Sequence, residues 1–212
     1  MSLAGLVFAG FVLGAPSPLP EPLVDVSARV PDAVIDLRYA TGENFLHRAV
    51  YPKGARCLLR ESVVVRLVQA AETLRAQGLR LKLYDCYRPR AVQEAMWKIY
   101  PHRGYVADPK TGSHHGRGTA VDLTLVDAAG RELEMPTPFD SFEHAAHAND
   151  TSSSPLAQKH RGELRAAMEA AGFKVNPMEW WHYDAPHAAA FPMADDPLTG
   201  ADGGKEASQQ KE

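Results

Sequence analysis

The sequence predicts an α+β domain with a central, mainly antiparallel sheet and helices packed against it. Three observations predict it. Leu79, Leu81 and Leu83 alternate with Arg80 and Lys82, the period of a half-buried strand. Val64, Leu67, Val68, Ala71 and Leu74 recur at steps of three and four, the period of a helix. The elements follow in the order strands, helix, strand, helix, strands, helix, strand, and the turn at Asp127-Ala128-Ala129-Gly130 sends one strand back beside itself.

Taken in order, residues 16–22 are a proline-rich lead-in. Residues 23–30 and 34–39 alternate as strands, and Thr41-Gly42-Glu43-Asn44 breaks the second. The helix over 61–77 stops at Gly78. A strand over 79–85 follows. Pro89 then opens a second helix with Val92, Met96 and Ile99 on its apolar face. Residues 102–112 form a loop, 119–126 the central strand, and 131–135 its hairpin partner. Residues 136–150 form a long loop, of a size that is usually functional. Ser154 caps a third helix with Pro155 at its first position, ending at Gly172. Residues 173–175 and 180–183 are the last sheet segments.

A length of 212 residues suits one domain with a sizeable core. Its expected bounds are 23–194, with a signal-like segment and lead-in over 1–22 and a disordered tail over 195–212. The net charge of −3 comes without a basic block, which argues against a nucleic-acid partner. No apolar run is long enough to span a membrane in a mature helix. Residues 3–13 match the apolar core of a signal peptide, and Ala15-Pro16-Ser17 offers small residues for cleavage, although the basic start is missing. The expectation is a periplasmic or exported protein; the competing reading is a buried N-terminal segment of a cytoplasmic one. Cys57 and Cys86 lie in no Cys-x-x-Cys pair, so a zinc–thiolate site is not expected. Export predicts a disulfide between them; otherwise they are two buried thiols.

The chemistry concentrates in Ser113-His114-His115-Gly116-Arg117-Gly118-Thr119-Ala120-Val121-Asp122. Asp122 enters the apolar run Leu123-Thr124-Leu125-Val126, where a carboxylate is costly to bury unless it is paired or bound to metal. Gly116 and Gly118 oppose a helix here and favour a loop feeding the strand. Downstream, Glu179-Trp180-Trp181-His182 supplies a second imidazole and carboxylate. Two imidazoles and a carboxylate around an open position form the ligand set of a catalytic zinc. His115, Asp122 and His182 are the expected ligands of one Zn2+ ion. Glu179 is the spare carboxylate, expected to act as base and then as acid. Zinc in such a set lowers the pKa of bound water to about 7.

Ser-x-His-x-x-Gly-x-Ala-x-Asp followed by Glu-x-x-His resembles the zinc D,D-peptidases. The narrower resemblance is to the D-alanyl-D-alanine dipeptidases, including those of vancomycin resistance. It also rests on Asp36-Leu37-Arg38-Tyr39-Ala40-Thr41, Asp85-Cys86-Tyr87-Arg88-Pro89 and Phe139-Asp140, and spans about residues 24–191. The resemblance implies the same α+β fold and hydrolysis of the dipeptide D-Ala-D-Ala to free D-alanine. It implies that Arg88 steadies the charge on the attacked carbonyl, for which a structural Arg–carboxylate pair is the alternative. It implies that Asp140 and Tyr39 receive the substrate ammonium and that Ser113 donates to its carboxylate. Tyr39 and Ser113 serve equally well as packing and turn residues. His114 is expected beside the metal shell or exposed, and His144 and His147 are not expected as ligands. The competing functions are a zinc D,D-carboxypeptidase or endopeptidase acting on longer wall peptides, and a zinc module without catalysis.

Overall fold

The computed structural model describes residues 21–102 and 104–200. The signal-like segment over 3–13 and residues 201–212 of the expected tail lie outside the described residues.

Five strands make the main sheet, in the order β2-β4-β5-β7-β6. They are β2 (Val34–Ile35), β4 (Arg80–Asp85), β5 (Ala120–Val126), β6 (Lys174–Asn176) and β7 (Glu179–Asp184). Only the β2–β4 pair is parallel; β4–β5, β5–β7 and β6–β7 are antiparallel. A small antiparallel ribbon pairs β1 (Leu23–Asp25) with β3 (Leu58–Arg60). The helices are α1 (Glu61–Arg75), α2 (Arg90–Ile99) and α3 (Pro155–Ala170). The mixed architecture and mainly antiparallel sheet are those read from the sequence.

All seven residues of β5 are buried, so this strand is covered on both faces. That explains the apolar and β-branched run that follows Asp122. Helix α1 buries Val63, Val64, Leu67, Ala70, Ala71 and Leu74, and packs on α3 and β4. Helix α3 packs in turn on β5 and β6. Ser154 caps α3 as expected, its hydroxyl accepting from Ala157 N at 3.0 Å.

Four expected elements come out shorter or different. The first strand stops at Asp25, whose carboxylate accepts from Ser27 N and starts a 3-10 turn over Val26–Ala28. The second yields to a 3-10 turn over Arg38–Ala40, which carries Tyr39 inward. The hairpin after 127–130 forms, but its return arm contributes an isolated bridge from Glu132 to Val126 rather than a strand. Packing also extends past the expected tail boundary at Asp195. Leu198 is buried and its carbonyl accepts from Arg56 N at 2.9 Å, so an apolar contact holds 195–198 on the body.

Cys57 and Cys86 are joined, with Cα atoms 5.2 Å apart, tying the loop before β3 to the segment just after β4. Protein taken from an oxidising compartment should therefore show no alkylatable thiol before reduction, as read by mass spectrometry. Two free thiols there would remove the bond.

Candidate metal centre and active site

The sheet register assembles the site. Asp122 on β5 stands directly opposite His182 on β7, and on its other side opposite Asp85 of β4. Three neighbouring strands thus put Asp85, Asp122 and His182 in one row. His115 arrives from the 3-10 turn His115–Arg117, which folds back over the end of β4: Arg88 N donates to the His115 carbonyl at 3.1 Å. Gly118 closes that turn at φ +70°, a left-handed conformation that side chains strain to adopt. A Cβ on Gly116 would stand 2.4 Å from Met193 Cε, so the end of that flexible side chain packs where a larger residue would have to displace it.

Three ligand atoms converge. His115 Nε2 lies 3.3 Å from Asp122 Oδ1 and 3.1 Å from His182 Nδ1, and His182 Nδ1 lies 2.9 Å from Asp122 Oδ1. Ligands placed about 2.0–2.1 Å from a tetrahedral zinc stand about 3.3 Å apart. Among the described residues, this is the trio of such groups close enough to hold an ion.

Hydrogen bonds on the far side of each ring fix what faces the centre. His115 Nδ1 lies 2.7 Å from the Cys86 carbonyl, which can only accept, so Nδ1 carries a proton and Nε2 is the nitrogen that faces the centre. His182 Nε2 lies 3.1 Å from Asp184 Oδ1 and donates to it. With Asp122 added, lone pairs aim at one point and need a positive charge among them. A proton on His182 satisfies part of that need. Burial opposes charging His182, yet its bonds to Asp122 and Asp184 raise its pKa well above the ordinary imidazole value. Burial likewise opposes the Asp122 charge, but His115 and His182 hold it well below the usual carboxylate range. A divalent cation would satisfy all three atoms at once, and the donor set fits it.

Glu179 lies at the start of β7, three residues before His182. In a regular strand an odd separation points two side chains to opposite faces. Here the β6–β7 register shifts, pairing Asn176 with Glu179 just after Val175 with Tyr183, and the irregularity turns Glu179 into the same cavity. Its Oε2 lies 3.8 Å from His182 Nδ1 and accepts from Asn176 Nδ2 at 2.8 Å. Burial, above all, pushes its pKa up to about 8.

Arg88 makes the structural pair and also reaches the cavity. Its guanidinium bonds Asp85 Oδ2 through Nε at 2.9 Å and Nη2 at 2.6 Å, and Gln93 Oε1 through Nη1 at 2.9 Å. That is a structural pair. The same group also lines the cavity, 3.9 Å from Asp122 Oδ2 and with Cζ 5.0 Å from the centre of the Tyr39 ring. Tyr51 Oη steadies Asp85 from the other side at 2.6 Å.

Tyr39 donates to both oxygens of Asp140 at 3.1 Å, and Phe45 N donates to Asp140 Oδ2 at 3.2 Å. Asp140 adopts φ +60°, uncommon outside glycine and frequent at functional positions. Desolvation in the cavity raises its pKa to about 7. Ser113 Oγ accepts from His115 N at 3.2 Å, a turn bond, while also facing the cavity. All eight residues proposed from the sequence line one cavity of about 260 Å³. That volume is at the small end for ligand pockets, which run from roughly 300 to 1,000 Å³. Phe45, Met96, Tyr105, Phe142 and Trp181 form its apolar wall.

His144 and His147 pack on each other, and His144 bonds Asp150; neither lines this cavity. Sequence reasoning missed Asp184, Asn176, Gln93 and Tyr51. Asp184 carried a signal, since a residue two after His182 on a strand shares its face. Asn176 carried none.

Residues 21–199 match the peptidase family M15 described as D-Ala-D-Ala dipeptidase. The chain belongs to this family. It is similar to the D-alanyl-D-alanine dipeptidase of Escherichia coli K12, with 40% identity over 174 residues, 82% of this chain and 90% of the relative. The D-alanyl-D-alanine dipeptidase of Enterococcus faecium is 32% identical over 74% of this chain and 89% of its own length. That of Streptomyces coelicolor is 32% identical over 75% and 92%. Membership of the M15 family thus covers the whole domain that carries the cavity.

Proposed function

We propose that this protein is a zinc dipeptidase that hydrolyses D-Ala-D-Ala to two molecules of D-alanine. The observation that carries the proposal is the convergence of His115 Nε2, Asp122 Oδ1 and His182 Nδ1, with a desolvated carboxylate and a fixed guanidinium in the same small cavity. The names of the family and of its similar members supply the substrate.

Zinc in this set supplies a Lewis acid and an acidified water. The chain supplies the rest. Glu179 takes the proton of the attacking water at its carboxylate and delivers it to the leaving amine. Arg88, held by Asp85 and Gln93, presents positive charge to the oxygen that becomes negative during attack, without having to reorganise. Asp140, steadied by Tyr39, receives the substrate ammonium, and Ser113 donates its hydroxyl proton to the substrate carboxylate. A site for both charged ends restricts the substrate to a free dipeptide. Among the described residues no helix is long and apolar enough to cross a membrane. The joined Cys57 and Cys86 favour an oxidising compartment, and with it export.

The test is direct. Purified protein should carry about one zinc per chain and release D-alanine from D-Ala-D-Ala. His115→Ala and His182→Ala should lose both metal and activity. Full activity after metal stripping would sink the assignment. Release of D-alanine from a D-Ala-D-Ala-terminated pentapeptide, with equal efficiency, would favour a carboxypeptidase.

A further inference from the structure

Asp184 accepts two hydrogen bonds with one oxygen. His182 Nε2 lies 3.1 Å from its Oδ1 and His114 Nδ1 lies 2.8 Å from the same atom. We propose that Asp184 and His114 are positioning residues of the metal centre, clamping the turn that carries His115 to the strand that carries His182. The inference rests on the metal reading of that site.

The geometry explains why a clamp is needed there. The ligand atoms come from separate elements: His115 from the 3-10 turn, Asp122 from β5 and His182 from β7. Register fixes Asp122 against His182. The sheet ladder ties β7 only to the residues after the turn, Ala120 pairing with Asp184 and Ala185 N donating to the Thr119 carbonyl at 2.9 Å, and makes no backbone link from β7 to His115 itself. His114, next in the chain to His115, makes that link by its side chain, while its carbonyl accepts from Thr119 N at 3.0 Å and Thr119 Oγ1 at 3.1 Å. Asp184 performs a second task. By accepting from Nε2 it reserves Nδ1 of His182 for the ion and fixes the ring plane.

A merely structural role is a weak rival. The side chains of His114 and Asp184 are 36% and 27% exposed. The two residues stand between the metal cavity and a second cavity of about 510 Å³ that Lys174 and His187 help to line. A pair so placed contributes little to folding. It should matter to metal binding more than to folding.

The test uses the full chain, zinc and a chromogenic chelator as competitor, with no substrate. Asp184→Ala should weaken zinc affinity about 10- to 100-fold, the usual effect of removing a ligand's outer partner. The melting temperature of the metal-free protein should not fall in step. His114→Ala should weaken zinc less. His114→Gln, which keeps an N–H donor, should recover part of that loss, and cobalt-loaded Asp184→Ala should show an altered d–d spectrum. Unchanged zinc affinity in Asp184→Ala overturns the proposal, as does a loss matched by destabilised metal-free protein with no effect at His114. Because the readout is metal binding, a parent protein that binds zinc yet leaves D-Ala-D-Ala intact sinks the proposed reaction and not this inference.

Discussion

Glu179→Ala should leave zinc bound and lower kcat by about 10²–10⁴, the range for removing a positioned acid–base group. The expectation follows from where Glu179 stands. Its carboxylate is buried beside His182 but is not one of the three converging ligand atoms. Removing it takes away the proton carrier without opening the metal shell. Metal content and kcat measured on the same preparation decide the matter. If zinc is lost together with activity, Glu179 is a ligand or a support and not the base. The pH profile gives a second reading. Burial raises the Glu179 pKa to about 8 in the metal-free chain, and a nearby cation pulls it down. A base must be ionised, so kcat should fall as pH drops through the metal-bound value, which lies below 8. Glu179→Ala should lack that acid limb.

The parts of this site legible in the sequence are those set by residue type and strand period. Asp122 in an apolar strand had to be compensated, and the fold compensates it with His115 and His182. Helices α1 and α3 followed from apolar spacing and from Ser154-Pro155. What stayed hidden depends on pairing across the sheet. Glu179 faces the cavity because of a register shift between β6 and β7, and no local pattern announces that shift. Arg88 is oriented by Gln93 on the next helix and by Asp85, which Tyr51 braces from a distant loop. The hairpin partner after Gly130 failed to become a strand for a different reason. Two backbone bonds, Asp127 N to the Arg131 carbonyl and Leu133 N to the Leu125 carbonyl, make only a bridge, and beyond it Glu132 is held by its side chain, in ion pairs with Lys82 and Arg38 and a hydrogen bond from Tyr84.

N-acetyl-D-Ala-D-Ala should be a poorer substrate than the free dipeptide, by about tenfold in kcat/KM at about pH 8. The argument rests on Asp140, whose carboxylate sits in the cavity on the Tyr39 hydroxyl and the Phe45 amide. A free dipeptide brings an ammonium to it. The acetylated dipeptide brings none and leaves a desolvated charge unpaired, at a cost of roughly 3–5 kcal/mol by analogy with broken ion pairs. Each 1.36 kcal/mol is tenfold in rate, and protonating a group one pH unit above its pKa costs about that much, so the loss is held near tenfold at pH 8 once Asp140 can take up a proton. Asp140 has an escape, because desolvation puts its pKa at about 7 in the free protein. Below that value it takes up a proton and tolerates the neutral substrate. The sign is therefore fixed: the preference for the free dipeptide should grow as pH rises through 7 and shrink as pH falls. Asp140→Ala should weaken cleavage of the free dipeptide, narrow its advantage and flatten this pH dependence. The comparison needs kcat/KM for both substrates on both proteins between about pH 6 and 8, with the free dipeptide's values corrected for its own amine, which titrates at about 7.7–8.0. Equal cleavage of the two substrates by the parent protein would mean that the cavity is open at the ammonium end. The carboxypeptidase reading would then replace the dipeptidase one.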